Sequence, residues 1–198
     1  MGIKVGVLSL QGAFREHIDR LKECGVSSVE IRFPEKLDDI DALIIPGGES
    51  TTINKLMKKY KFKSCLDKFY KDGKPMFATC AGLILIAKNI KEEGQGLGYI
   101  DVDVKRNAYG RQIESFEELL NINLDGSQNG RKFKSIFIRA PKILSVGGEV
   151  KVLGKLGQDV VLIRDNNIIA CTFHPELTSD LRIHRYFINM IKNNKGEN

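Results

Sequence analysis

The sequence has no window approaching the ~18 consecutive apolar residues that a membrane-spanning helix needs, and no two of its four cysteines lie close together. The first absence argues against a spanning helix. The second excludes the CxxC redox and zinc patterns, and no His/Cys/Asp cluster has metal-ligand spacing. The Walker glycine loop with its lysine is missing, as is any nucleic-acid signature motif. Histidine is scarce, with only His17, His174 and His184, so imidazole base catalysis has three candidates. The chain begins with a strand-like run, Ile3 to Leu8, without the layout of a cleaved leader. These absences lead us to expect a cytoplasmic protein with free thiols and no cofactor.

What is present fits one domain spanning residues 1–198, with a polar tail from about Lys192 expected to fray. The net charge is +6, from 31 basic and 25 acidic residues. Lys55, Lys58, Lys59, Lys61 and Lys63 read as a solvated helix face. The first half alternates strand and helix. Apolar runs at 3–8, Ser28–Phe33, 42–45 and 76–79 read as strands. Phe14, Ile18 and Leu21, then Ile53, Leu56 and Met57, then Phe62, Leu66 and Phe69, mark helix faces. An apolar helix is expected to begin over Leu83–Ala87. This order predicts an α/β fold, a mostly parallel sheet with helices on both faces. The second half reads as short strands, with a hairpin turn at Asp165-Asn166-Asn167, followed by a last helix carrying Ile183, Phe187, Met190 and Ile191. That part is an antiparallel, strand-rich extension of the same domain.

In parallel sheets, sites form at the carboxyl ends of the strands. Three segments fall there: Gln11-Gly12, Pro46-Gly47-Gly48-Glu49-Ser50, and Thr79-Cys80-Ala81-Gly82. Cys24, Cys65 and Cys171 read as core residues. Cys80 differs, because a tight strand-to-helix turn lifts a nucleophile clear of the sheet and the helix start favours a thiolate. Its alternative is a buried thiol in an ordinary turn. Of the histidines, His184 reads as solvated, off the apolar stripe of the last helix, and His17, flanking the Phe14/Ile18/Leu21 face, as a helix-surface or contact residue. His174 stands at a strand end, and Glu176, two residues on across Pro175, can hold one ring nitrogen while the other faces the thiol. In the glycine loop, Ser50 or Thr51 is the expected helix cap. Arg106 and Arg139 lie near strand ends and could grip a carboxylate, with surface ion pairs as the alternative.

At these residues the chain resembles the glutaminase subunits of pyridoxal 5'-phosphate synthase, a branch of the class I glutamine amidotransferases. The resemblance runs through Leu10-Gln11-Gly12-Ala13, Arg15-Glu16-His17, Pro46-Gly47-Gly48-Glu49-Ser50-Thr51-Thr52 and Thr79-Cys80-Ala81-Gly82-Leu83. It continues through Arg106-Asn107, Gly110-Arg111-Gln112, Ser115-Phe116, Phe137-Ile138-Arg139-Ala140-Pro141 and Phe173-His174-Pro175-Glu176-Leu177. It implies a flavodoxin-like three-layer sandwich, a Cys80–His174–Glu176 triad, and release of ammonia from L-glutamine. It further implies glutamine contacts from Gly47, Gly48, Glu49, Arg106, Ile138 and Arg139, with Gln11 and Ala81 at the oxyanion site. The implied partner is the synthase subunit, a TIM barrel assembled as a ring, which takes the ammonia for vitamin B6 synthesis. Ala78 departs from the family's usual glycine, a change that is tolerable if the local φ is negative. Two rivals stay open: a class I glutaminase serving another synthase, and a non-enzymatic flavodoxin-like binding module.

Overall fold

The computed structural model describes residues 2–108, 115–124 and 131–196. The Gly110-Arg111-Gln112 motif and the last two tail residues lie outside them.

The parallel half begins with β1 (Lys4–Leu8), α1 (Phe14–Glu23), β2 (Ser27–Ile31) and β3 (Ala42–Ile45). It continues with α2 (Ser50–Lys59), α3 (Phe62–Lys71), β4 (Met76–Thr79) and the short helix α4 (Ala81–Ile86). The chain then forms β5 (Ala87–Ile90), β6 (Gly94–Gln95), β7 (Ile100–Lys105), β8 (Ser115–Leu120), β9 (Phe133–Ile138) and β10 (Lys142–Val146). It closes with β11 (Lys151–Leu156), β12 (Asp159–Asp165), β13 (Ile168–Cys171) and α5 (Arg182–Lys195).

The main sheet has the order β11-β12-β13-β4-β3-β1-β2. Its run from β13 to β2 is parallel, while β11, β12 and β13 pair antiparallel. Asp165-Asn166-Asn167 makes the β12–β13 turn, with Asn166 at φ 50°. Two smaller sheets, β10-β7-β5-β6 and β8-β9, form the strand-rich extension.

Both faces of the main sheet are covered, which explains why its strands read as continuous apolar runs instead of alternating ones. Leu43 and Ile45 of β3 point into a core with Ile53, Met57, Phe62 and Leu66 from α2 and α3. Ala42 and Ile44 point the opposite way, into a core with Leu21 of α1 and Ile183, Phe187 and Ile191 of α5. Ala78 lies inside β4, fully buried and without a positive φ, so its methyl group is accommodated. The five lysines from Lys55 to Lys63 are exposed.

Three details depart from the sequence reading. The helix after Cys80 stops at Ile86, because Ala87 leaves it at φ −59°, ψ 156° and the chain turns into β5 beside β7. The strand β10, with Leu144 and Ser145 facing out, carries too weak an apolar signal to be read. The last helix runs through Lys195 and ends on Gly196 at φ 71°, a left-handed C-terminal cap, past Lys192 where the polar tail was expected to begin.

Phe187 is fully buried and its ring lies 5.6 Å from that of Phe77. Phe187→Ala is therefore expected to lower unfolding free energy by about 3–5 kcal/mol in urea titrations; a loss below about 1 kcal/mol would contradict this packing.

Candidate active site

The carboxyl ends of β1, β3, β4 and β13 converge on one cleft of about 600 Å³. Its walls include Gln11, Gly47, Gly48, Glu49, Cys80, Ala81, Arg106, Ile138, Arg139 and His174. The structure thus brings together every site residue picked from the sequence except Glu176, which stands behind His174. Ile84, Asn107, Ser115 and Leu177 also line the cleft, with Gly12, Ala13 and Ser50.

Cys80 joins β4 to α4 with φ 47°, ψ −103°, a backbone conformation that a side chain rarely tolerates. Two things hold it there. Its N–H donates to the Cys171 carbonyl oxygen at 2.9 Å, which continues the β4–β13 ladder. Gly82, two residues on, lets α4 press against β3, since a β-carbon there would collide with the Ile45 carbonyl. The Cys80 Sγ lies 3.7 Å from the Ile138 carbonyl oxygen.

His174 follows β13 and is anchored by its N–H, which donates to the Ile136 carbonyl of β9 at 2.8 Å. Residues Pro175–Leu177 then form one 3₁₀ turn. The sequence reading placed Glu176 beside His174 by extended-chain geometry; the contact instead arises from this turn, which folds the carboxylate back to 2.7 Å from Nδ1. Gly47 closes over the ring, where a β-carbon would strike His174 Cε1 and crowd the Cys80 β-carbon. Burial opposes a charge on His174, but its interactions with Cys80 and Glu176 outweigh burial and raise its pKa to about 10. A base so placed holds its proton as imidazolium at neutral pH, the partner a thiolate requires.

The glycine loop is fixed from two sides. Gly47 N–H donates to Thr79 Oγ1 at 2.9 Å and its carbonyl accepts from Ala13 N–H at 2.9 Å. Gln11 Oε1 accepts from Glu49 N–H at 2.7 Å. Gly47 N–H is thus committed to Thr79, while Gly48 and Ala81 line the cleft with Cys80.

The helix cap was misassigned from sequence. Glu49, not Ser50 or Thr51, caps α2 by accepting from the N–H groups of Thr51 and Thr52 at 3.0 and 2.7 Å. The Thr52 hydroxyl bond at 2.6 Å leads, with the two backbone bonds, in lowering the Glu49 pKa to about 2. Its carboxylate also lies 3.4 Å from Arg106 Nη2, while Arg106 Nη1 binds Glu93 at 2.9 Å. Arg139 enters the wall at φ 44° beside the half-exposed Ile138.

His17 and His184 are not surface residues. Both are fully buried. His17 Nδ1 lies 3.1 Å from His184 Nε2, and His17 Nε2 lies 3.2 Å from Thr79 Oγ1 and 3.4 Å from Glu176 Oε2. The signal was available: Phe14, His17, Ile18 and Leu21 sit at i, i+3, i+4 and i+7, as do His184, Phe187, Ile188 and Ile191. Each histidine completes an inward stripe.

The profile of the SNO glutamine amidotransferase family matches residues 7–193. A pyridoxal 5'-phosphate synthase subunit PdxT of Pelotomaculum thermopropionicum is 53% identical over 187 residues, covering 94% of each chain. The PdxT of Anoxybacillus flavithermus is 50% identical over 194 residues, covering 98% of this chain and 99% of its own. Among solved structures, one described as a glutamine amidotransferase is 46% identical, with a TM-score of 0.87 over 94% of this chain and 98% of that one.

Burial, then the charge of Arg20, lowers the His184 pKa to about 3, and burial likewise lowers that of His17. Between about 6.5 and 3 the unfolded chain therefore binds protons that the folded one refuses, so stability falls as pH drops through that window. His184→Phe is expected to flatten the decline in urea midpoints from pH 7 to 4; an unchanged slope would contradict neutral burial of His184.

Proposed function

The chain belongs to the SNO glutamine amidotransferase family, and from that premise we propose that it hydrolyses L-glutamine to L-glutamate and ammonia, as the ammonia-donating subunit for pyridoxal 5'-phosphate synthesis. The observation that carries the reading is His174, held between Cys80 and Glu176 at the floor of the one cleft that gathers the glycine loop and both arginines.

In this mechanism the Cys80 thiolate, paired with the His174 imidazolium, attacks the side-chain carboxamide carbon of glutamine. The Gly48 and Ala81 N–H groups receive the developing oxyanion, where fixed donors cost no reorganisation. His174 gives its proton to the departing ammonia and leaves a glutamyl thioester. It then takes a proton from water, which attacks the thioester and frees glutamate. Glu176 keeps the ring in its working tautomer throughout. Glu49, Arg106, Arg139 and Ile138 hold the amino-acid end of the substrate. Arg106 and Arg139 suit its carboxylate, and Glu49, ionised down to pH 2 or so, suits its ammonium.

Ammonia released to water at neutral pH becomes mostly ammonium, which is not a nucleophile. Transfer inside a complex with the synthase subunit avoids that loss. The sequence resemblance supports a TIM-barrel partner arranged as a ring.

Cys80→Ala is expected to reduce glutamate release, assayed with the synthase subunit present, by at least about 10³-fold while leaving complex formation intact. Retained release would overturn the role of Cys80. Activation by the synthase of another pathway, and not by this one, would redirect the assignment of partner.

A further inference from the structure

Glu176 uses one oxygen on His174. The other, Oε2, is completely buried, and among the described residues no donor reaches it in well-aligned hydrogen-bond geometry. The approach at 3.4 Å is His17 Nε2. A buried carboxylate oxygen left without a donor is costly, so the protonation of His17 decides whether this corner of the site is favourable or strained.

The neighbouring histidine settles that protonation. His184 Nδ1 is also buried without a partner. If His184 carried its proton there, an N–H would be stranded, and the His17 proton would have to sit on Nδ1 to reach His184 Nε2. His17 Nε2 would then turn a lone pair toward Glu176. In the other arrangement His184 Nε2–H donates to His17 Nδ1, and His17 Nε2–H is shared between Thr79 Oγ1 and Glu176 Oε2. A neutral lone pair on His184 Nδ1 then goes unpartnered, which costs less than a stranded N–H and a bare carboxylate oxygen.

We propose that His17 is a positioning residue for the triad: its Nε2–H steadies the far oxygen of Glu176 and, through Thr79, the N–H of Gly47 that closes over the His174 ring. His17 is not among the residues that line the cleft. It acts by fixing the carboxylate that aims His174, and it ties the glycine loop to the same point. The role in turnover rests on the glutaminase reading above; the role in holding His174 against Cys80 does not.

The test separates the two. His17→Gln can place an N–H near the Nε2 position, whereas His17→Asn reaches only the Nδ1 position facing His184. Both put a neutral amide in the same buried site. Cys80 alkylation by iodoacetamide, followed against pH on the full chain, reports the thiolate–imidazolium pair without any glutamine. In the complex with the synthase subunit, glutamate release gives kcat and KM. The expected result is that His17→Asn moves the alkylation profile to higher pH and lowers kcat by about 10- to 100-fold with KM for glutamine little changed. His17→Gln is expected to stay within a few-fold of the parent in both. Equal behaviour of folded Asn and Gln variants, or an unmoved alkylation profile in His17→Asn, would overturn the proposal. If the parent chain released no glutamate with the synthase while the Asn and Gln alkylation profiles still differed, the glutaminase reading would fail and the positioning role would stand.

Discussion

Glu176 is 2% exposed, and a carboxylate so deeply buried is tolerable only if its oxygens meet donors, since an unpaired buried charge costs several kcal/mol. That requirement dictates much of the surrounding architecture. One oxygen draws His174 out of the β13 extension and fixes its ring. The other faces His17 of α1, itself backed by His184 of α5. Helices that cover one face of the sheet thereby reach through to the chemistry at the strand ends. Burial lowers the pKa of the two histidines behind Glu176, whereas at His174 the interactions with Cys80 and this carboxylate outweigh burial.

Crowding supplies the second constraint. The backbone of Cys80 is held at positive φ by a ladder bond to Cys171 on one side and by the seating of α4 on β3 at Gly82 on the other. Gly47 lies over both Cys80 and His174, at a distance that no larger residue permits. A strained backbone persists only where its surroundings over-determine it. Here a central parallel sheet, rigid and buried on both faces, provides that. Cys80, His174 and the glycine loop all sit at the ends of adjacent strands, so their spacing follows from strand spacing.

Much of this was legible in the sequence because it rests on local pattern. Continuous apolar runs gave β1, β3 and β4, and small residues around Cys80 and in the glycine loop marked the two crowded turns. The joint appearance of a turn cysteine and a strand-end histidine pointed to a shared site. What escaped depends on distant contacts. Nothing local says that α5 brings His184 to His17, or that Thr79 claims the Gly47 N–H. Glu49 is a poor cap by residue type, and only the placement of α2 against Arg106 shows why a carboxylate is there. The His174–Glu176 pairing was read correctly by position but for the wrong geometry: His174 stands at the head of a 3₁₀ turn with non-helical backbone (φ −111°, ψ 83°), and the turn folds the Glu176 carboxylate back to its ring. His17 could have been read inward, because it completes the stripe of Phe14, Ile18 and Leu21.

The central claim is that Cys80, activated by His174, is the nucleophile toward glutamine. It is tested most directly with a glutamine analogue bearing a diazoketone in place of the carboxamide, followed by peptide mass analysis and the residual glutaminase rate in the synthase complex. The account predicts one equivalent of label on Cys80, activity lost in proportion to labelling, protection by glutamine, and little labelling when His174 is replaced by Asn. Glutamate release that persists after Cys80 is fully labelled, or inactivation with the label on another residue, would contradict it.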